Sequence, residues 1–362
     1  MKTGIADLPL HDGKCPSWLF EKMKKLSLLI FLAIERDYGV NEFLKRISNP
    51  FWFQAFGCVL GFDWHSSGLT TTVCGALKES LKHEHGLVVL GGKGKSALKT
   101  PEEIENACNA FNLSSSKKEQ LTYISRIVAK VDNVLLQDGY NLYHHTFFLT
   151  EKGRWAVIQQ GMNEKNHYAR RYHWLDEKAK DDEEAFVNEP HYGICCDKKE
   201  EKVLNMTAKE SKKVRETSVK IIKEMGFDKV KVFYEKNLKE KAYMKMPKQH
   251  FINIDDYKQV NNVDNFEPKN YEELVAMRNV GKKTIRALAL LSELIYGEKA
   301  CWEDPVKYSF AHGGKDGFPY PVDEIVYNES IEILKNAIEE AKIGNNEKVM
   351  AIKRLKNFLC KC

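Results

Sequence analysis

The sequence predicts an α+β or α/β N-terminal domain with a β-hairpin, followed by a mainly helical C-terminal domain. Residues 146–150 and 155–158 are two apolar, β-prone runs separated by a four-residue loop that contains Gly153, which is typical of a β-hairpin. From Ala208 onward, apolar residues recur mostly at helical spacing. We therefore predict a mixed domain over residues 1–200 and a helical domain over residues 201–362, a length sufficient for two hydrophobic cores.

The first 100 residues contain two predicted helical runs around an aromatic segment. Residues 18–47 and 70–82 repeat apolar side chains at helical spacing. Residues 51–62 are aromatic and contain two glycines, and a polar sextet, Asp-Trp-His-Ser-Ser-Gly, follows at 63–68. The sextet is therefore predicted to be a strand-to-helix loop.

A short strand and a glycine-rich turn come next. Residues 87–90 form an apolar run that is followed by Gly-Gly-Lys-Gly-Lys-Ser at 91–96, an order that often places phosphate contacts in α/β folds. The Walker spacing is missing, so a flexible loop is an equal alternative. Thr100-Pro101 predicts the start of a helix, and residues 117–134 predict another.

Charge and composition restrict the class of protein. The net charge is +5, but residues 198–248 carry 16 Lys and Arg against 8 Asp and Glu, so the basic character is local. This segment can follow a phosphate backbone or form a solvated helix face. The chain has no apolar run long enough for a membrane span and no signal-peptide layout, and its nine cysteines lack zinc-ligand spacing. These features predict a cytoplasmic protein with reduced thiols and no membrane partner.

Residues 271–297 contain the most informative pattern, two helical runs joined by a tight, basic turn. Gly281 permits a positive φ, Asn279 tolerates one, and Thr284 is placed to cap the second helix. The turn amides and the N-terminus of the second helix would bind one phosphate, which predicts nucleic acid as the partner. The predicted nucleic-acid-binding residues are Asn279, Val280, Gly281, Lys282, Lys283, Thr284 and Arg286. The segment resembles the helix-hairpin-helix motif; the alternative is an ordinary helical hairpin with a basic tip.

Polar residues concentrate at the outer ends of the predicted β-hairpin. Asp138 and His145 precede it or lie at its start, and Arg170 and Arg171 follow it, so these side chains can share one location. If Asp63 and His65 join them, Asp63, His65, Asp138 and His145 would hold a divalent metal, Mg²⁺ or Mn²⁺, that activates water against a phosphodiester. The alternatives are hydrogen-bonded structural residues or a metal-free base. Successive strand residues face opposite sides, so at most one of His144 and His145 belongs to the site.

The segment around the two arginines is both cationic and aromatic. Arg170, Arg171 and His173 alternate with aromatic residues, and they would neutralise a transition-state phosphate or bind unpaired bases. A packing surface beside the acidic residues 176–189 is the alternative. The predicted catalytic residues are therefore Asp63, His65, Asp138, His145, Arg170 and Arg171.

Several strings resemble a family of proteins of undefined function. They are residues 3–11, 61–68, 137–140, 159–163, 169–173 and 309–317, for example Gly-Phe-Asp-Trp-His-Ser-Ser-Gly and Ala-Arg-Arg-Tyr-His. Together they resemble the domain-of-unknown-function family 763, which is found mainly in archaea. The resemblance implies one coherent architecture over nearly the whole chain, but no reaction.

Three functions are consistent with these patterns. The first is a metal-dependent nuclease that acts in DNA repair. The second is a DNA glycosylase or lyase, since Lys283 and Asp304 resemble the lysine and aspartate of helix-hairpin-helix glycosylases, although their spacing is about one helical turn longer. The third is a non-enzymatic nucleic-acid-binding module. The patterns do not indicate an oligomeric state.

Overall fold

The computed structural model describes residues 15–62, 67–178, 184–196, 199–239, 267–278, 280–306, 324–341 and 344–359. Its helices are α1 Ser17–Tyr38, α2 Val40–Ser48, α3 Pro50–Leu60, α4 Gly68–Ser80, α5 Lys95–Leu98, α6 Thr100–Ala110, α7 Ser115–Val134, α8 Lys212–Lys239, α9 Tyr271–Ala276, α10 Lys282–Tyr296, α11 Glu324–Glu340 and α12 Asn345–Leu359. Its strands are β1 Leu87–Lys93, β2 Leu136–Gln137, β3 Asn141–Thr150, β4 Trp155–Asn163, β5 Tyr168–Leu175, β6 Gly193–Cys195 and β7 Leu204–Asn205.

The N-terminal helices follow the predicted periodicity, with two corrections, the first being that the run over residues 18–47 is divided at Gly39 into α1 and α2. The aromatic segment is helix α3, so residues 63–66 connect two helices rather than a strand and a helix. Asn49 caps α3 by accepting hydrogen bonds from the amides of Phe51 and Trp52, and Pro50 occupies the first turn. Helix α3 is buried between other helices and the sheet, so its residues are apolar on nearly all sides. Without a polar face, the sequence shows no helical periodicity.

The sheet confirms the predicted hairpin and is antiparallel throughout. Its strand order is β1-β3-β4-β5-β6, and β3 and β4 form the hairpin over Thr150 to Trp155. A register shift between Leu142 and His144 marks an irregularity at the start of β3. The fold is therefore mixed α+β. Strands β3 to β6 pair in chain order, β1 pairs with β3, and every pair is antiparallel.

Alternation along the strands divides the apolar residues between two hydrophobic clusters. Phe148, Ala156 and Ile158 pack with α1–α4, whereas Phe147 and Val157 pack with α6 and α7. We call these the α3 face and the α7 face of the sheet. Both faces are covered by helices, so the polar side chains on the central strands are buried as well.

The C-terminal helices pack on both faces. Helices α8, α9 and α10 contribute to the cluster on the α7 face, and α11 and α12 contribute to the cluster on the α3 face. Strand β7 pairs with β2, and Asn205 forms a bridge with Cys301. The boundary near residue 200 stays a prediction, and residues on both sides of it pack in each cluster.

Within the described residues, none of the helices combines the length and the apolar character that crossing a lipid bilayer demands.

Candidate nucleic-acid interface and buried polar networks

The turn between α9 and α10 leads to a helix whose N-cap residue is a glycine. Asn270 caps α9 by accepting from the amide of Glu273 at 2.9 Å. Helix α10 begins at Lys282 after Gly281, which makes no side-chain cap hydrogen bond. The first amides of a helix lack intrahelical acceptors, and the helix dipole is positive there. An anion at this end of α10 would accept hydrogen bonds from these amides and would be attracted by the positive end of the dipole.

Two predicted details of this turn are wrong. Gly281 has φ −124° and ψ −174°, an extended conformation open to any residue, so the turn does not use the positive φ that glycine permits. Thr284 lies inside the first turn of α10 and is buried, so it does not cap the helix. The helix starts earlier than predicted because Val280 is buried in the α7-face cluster and fixes the entering chain. Asn279 lies outside the described residues.

Polar contacts attach the turn to the N-terminal half of the chain. Gln137 donates from Nε2 to the carbonyl of Lys282 at 2.6 Å and accepts at Oε1 from Nε of Arg286 at 2.7 Å. Nζ of Lys282 donates to Oδ1 of Asn141 at 2.8 Å, and Lys130 on α7 donates to the carbonyl of Met277. The turn is therefore held against α7, β2 and β3, and Gly281 stays half-buried.

The turn is surrounded by cations. Lys130, Lys282, Lys283 and Arg286 lie at it in half-buried positions, and Arg278 is exposed. Burial lowers the pKa of Lys130 to about 8, and burial also lowers the pKa of Lys282, which the carboxylate of Asp138 partly opposes. Cations that lose water in this way gain free energy when an anion approaches. The electrostatics favour a bound phosphate.

The glycine-rich segment 91–96 is not the predicted turn, since residues 91–93 extend β1 and Lys95 begins α5, and it binds the protein's own carboxylate. The amide of Gly91 donates to Oε2 of Glu103 at 2.7 Å, and Lys78 donates to the same carboxylate. Gly91 has φ +81°, and a Cβ there would lie 2.3 Å from the carbonyl oxygen of His145. The glycine therefore permits β1 to approach β3, and Glu103 occupies the amide that a phosphate would need.

Arg170 and Arg171 point to opposite faces of the sheet, so they do not form the shared cationic patch that the sequence predicts. Arg170 lies on the α7 face, where it donates to Asp138 at 3.0 Å and to both oxygens of Asp304 at 3.0 and 2.7 Å. The hydroxyl of Tyr172 donates to Asp138 at 2.8 Å, and the guanidinium lies 4.5 Å from the ring centre of Tyr140. Burial raises the pKa of Asp138, and Arg170 opposes the shift.

Arg171 belongs to a second buried network on the α3 face. It donates to Gln54 at 3.0 Å, to Thr70 at 3.3 Å and to Nε2 of His173 at 2.8 Å. Gln160 accepts from Thr70 and donates to the carbonyl of Ser67 at 2.9 Å. Because His173 accepts at Nε2 and burial lowers its pKa far below its usual value, its imidazole is neutral.

His144 and His145 also separate to the two faces, as strand alternation predicts. His145 bonds to Ser125 through Nε2 at 2.9 Å and to Gln159 through Nδ1 at 2.8 Å, so both ring nitrogens are used. His144 bonds to Thr146 at 2.7 Å through Nε2, and burial lowers its pKa to about 3. Among the described residues, Nδ1 of His144 has no hydrogen-bond partner.

The predicted metal ligands divide into two groups. Asp63 and His65 lie outside the described residues, whereas Asp138 and His145 have their polar atoms engaged by the protein in separate networks. Within the described part of the chain, no group of three or more His, Cys, Asp or Glu side chains is arranged to hold a metal ion. The four-residue site therefore stays a prediction that depends on the segment 63–66.

The carboxylate of Asp304, the aspartate of the glycosylase hypothesis, is fully engaged. It accepts from Arg170, from the amide of Glu200 at 2.7 Å and from the amide of Val306 at 3.1 Å. An aspartate with this many donors is a structural counter-ion. Its geometry adds no support to a glycosylase.

Sequence reasoning missed a histidine-aspartate pair on the α7 face. Asp132 on α7 accepts from His191, from Nε1 of Trp174 at 2.9 Å and from Gln159. His191 lines a cavity of about 190 Å³ that Asp304 also lines. The available signal was Asp132 itself, a charged residue on the apolar stripe that Val128 and Leu135 continue.

These features define an α+β protein whose buried polar networks connect a five-stranded antiparallel sheet to α3, α4 and α7 and to the segment at Asp304. The family model described as "Protein of unknown function (DUF763)" matches residues 4–322, so the chain belongs to this family. No curated protein and no solved structure matches the chain.

Proposed function

We propose that this protein binds DNA, and that α9 and α10 act as a helix-hairpin-helix that grips one backbone phosphate. The observation that carries the proposal is the start of α10, where the N-cap residue is Gly281 and Lys130, Lys282, Lys283 and Arg286 surround the turn. Backbone amides and cations recognise phosphate without reading bases. The proposal therefore predicts affinity with little sequence preference and a strong dependence on salt.

The substitution Gly281→Leu tests this proposal. A Cβ at Gly281 would meet no atom within 4 Å, and its φ is negative, so Gly281→Leu should fold normally while its side chain fills the position of the phosphate. Loss of one set of charge-assisted hydrogen bonds should weaken binding by about tenfold to a hundredfold. Fluorescence anisotropy with labelled duplex, forked and single-stranded DNA measures the effect.

Gly344→Leu is the matched control. Gly344 also directly precedes a helix, α12, and a Cβ added to it would likewise meet no atom within 4 Å, but it belongs to the helices on the α3 face. Its substitution should leave affinity unchanged. Equal affinities for wild type, Gly281→Leu and Gly344→Leu would exclude the turn as the phosphate site.

We propose metal-dependent phosphodiester cleavage as the enzymatic form of this function. The supporting observation is the way the segment 63–66 is held at both ends: Gln160 bonds to the carbonyl of Ser67, and the amide of Phe62 donates to the carbonyl of Gly57 at 3.1 Å. Ser67, which directly follows the segment, therefore lies beside the buried network that includes Arg171 and Thr70. The carboxylate of Asp63 and the imidazole of His65 would supply ligands for Mg²⁺ or Mn²⁺.

A cleavage assay separates this reaction from binding alone. Wild-type protein with Mn²⁺ should cut single-stranded, duplex or forked DNA, and Asp63→Asn or His65→Gln should abolish cutting without changing anisotropy. Asp37→Asn, a substitution of an exposed aspartate, is the control. DNA that is bound but remains intact with both metals would assign the protein as a non-enzymatic binding module.

A further inference from the structure

The two ends of the five-stranded sheet differ in charge. Strands β1 and β4 finish, and β3 and β5 begin, at one end, which we call the Asn141 end after the first residue of β3. The described charged residues at this end are mostly cations, and they include Lys93, Lys95, Lys165 and Lys282 beside Glu164 and Glu200. The opposite end, at residues 84–86, 151–154 and 176–178, carries four acids and three cations. The Asn141 end is therefore the one that attracts a polyanion.

The segment that follows β1 is fixed beside the start of β3. The amide of Gly94 donates to the carbonyl of Tyr143 at 2.8 Å. Lys93 pairs in register with His144, and its ammonium lies 5.8 Å from the ring centre of Tyr143. Lys93 and Lys95 are nonetheless exposed, and neither ammonium has an ion-pair partner among the described residues. The backbone is thus held by the protein, while both cations can reach a ligand.

The start of β3 also connects this segment to the α9–α10 turn. Nζ of Lys282 donates to Oδ1 of Asn141 at 2.8 Å, and Asn141 lies three residues before the register partner of Lys93. Three strand residues span about 10 Å and neighbouring strands lie about 4.8 Å apart, so roughly 11 Å separates the backbones of Asn141 and Lys93. One strand of duplex DNA has a phosphate about every 3.4 Å of helix axis. The two groups of cations can therefore contact phosphates of one strand that are a few nucleotides apart.

We propose that DNA held at the α9–α10 turn continues across the Asn141 end of the sheet, where Lys93 and Lys95 contact its backbone a few nucleotides from the phosphate at the turn. This path rests on the proposed DNA binding at the turn, and it adds the direction in which the backbone leaves that turn. The contacts come from side chains, because Glu103 already occupies the amide of Gly91. Exposed ammonium groups contact phosphates without reading bases, so the path is independent of sequence.

The salt dependence of DNA binding tests the path on the full-length protein. Each phosphate contact contributes about 0.7 to 0.9 to the slope of log K against log salt, so Lys93→Gln combined with Lys95→Gln should lower the slope by about 1.5 to 2. Lys152→Gln combined with Lys178→Gln is the matched control, because both lysines are also exposed but lie at the opposite end of the sheet. The control pair should leave the slope unchanged. Fluorescence anisotropy of labelled DNA over a range of salt concentrations measures the slopes.

Lysine acetylation followed by mass spectrometry gives a second measurement, which needs no variant. Bound DNA should slow the acetylation of Lys93 and Lys95 in wild-type protein, whereas Lys152 and Lys178 should react as in the free protein.

The outcomes separate this path from the proposed function. If Gly281→Leu weakens binding but the substitutions at Lys93 and Lys95 leave the slope unchanged, the turn remains the DNA site and the path is wrong. An equal loss of slope in the Lys152 and Lys178 variant, or equal acetylation of Lys93 and Lys95 with and without DNA, would also overturn the path. A wild-type protein that binds no DNA would overturn the proposed function, and the path with it.

Discussion

At the scale of single residues, burial decides what the charged groups do. Arg170 and Arg171 are adjacent in sequence, yet one neutralises Asp138 and Asp304 on the α7 face and the other bonds to Gln54 and Thr70 on the α3 face. The period of two in a strand separates them. Helices on both faces then exclude water, so each guanidinium needs partners inside the protein.

We predict that Arg170→Leu destabilises the protein by about 3–5 kcal/mol, because it leaves two buried carboxylates without their counter-ion. Urea denaturation measures the change in the free energy of unfolding. Arg36→Leu removes an arginine that is 60% exposed and pairs with Asp37 and Glu340 at the surface, so it should change the free energy of unfolding far less than Arg170→Leu. A loss below about 1 kcal/mol for Arg170→Leu would show that the pairing contributes nothing net.

At the scale of elements, α3 and α4 make a close contact through Gly57 and Leu69. A Cβ at Gly57 on α3 would lie 2.7 to 2.8 Å from three side-chain carbons of Leu69 on α4. The glycine therefore lets the two helices approach until Leu69 fills the space beside the α3 backbone. The carbonyl of Ser67, just before α4, accepts from Gln160 in the network that includes Arg171.

We predict that Gly57→Ala costs about 1–3 kcal/mol through overpacking, although alanine is the better helix former. Thermal and urea unfolding measure the loss, and the cost of Gly57→Ala should be smaller when it is made in a Leu69→Ala background, because that background vacates the contact. Gly75→Ala is the control, since its Cβ would lie 3.7 Å from Phe20 at ordinary contact distance and should be neutral or stabilising. Equal effects at Gly57 and Gly75 would contradict the account.

At the scale of the whole molecule, the two halves of the chain share their cores. Leu274, Ile285 and Leu288 pack with the sheet residues Phe147 and Val157, and Asp304 supplies a counter-ion for Arg170. Leu334, Ile338 and Leu355 pack with α1 and α3 on the other face. The surface between the halves is thus apolar and extensive, as in a domain core rather than between loosely joined domains.

We therefore predict that a fragment of residues 1–200 does not fold cooperatively on its own. It would expose the α7 face and leave Arg170 without Asp304. Near-ultraviolet circular dichroism and dye binding should report lost packing in the fragment, and the full-length chain should unfold in one transition. A fragment with native-like near-ultraviolet signals and a sharp transition would instead support an autonomous domain that ends near residue 200.

Sequence patterns were sufficient for much of the fold and for only part of the site. Local periodicity and caps predicted α1, α4, α6, α7 and the β3–β4 hairpin, because these signals lie within a few residues of one another. Helix α3 was missed because a segment buried on nearly all sides shows no polar face. The pairing of Arg170 with Asp304 spans 134 residues, and no local pattern predicts such a contact.

The sequence by itself determined the family, the antiparallel hairpin and the two helical runs that flank the candidate phosphate site. Only the tertiary structure decided which polar groups are accessible to a ligand. Asp138, Arg170 and Arg171 are paired with internal partners, whereas the first turn of α10 lies at a half-buried turn among cations. The physical reason is that burial requires each polar group to find a partner, and the partner is chosen by the three-dimensional packing of distant segments.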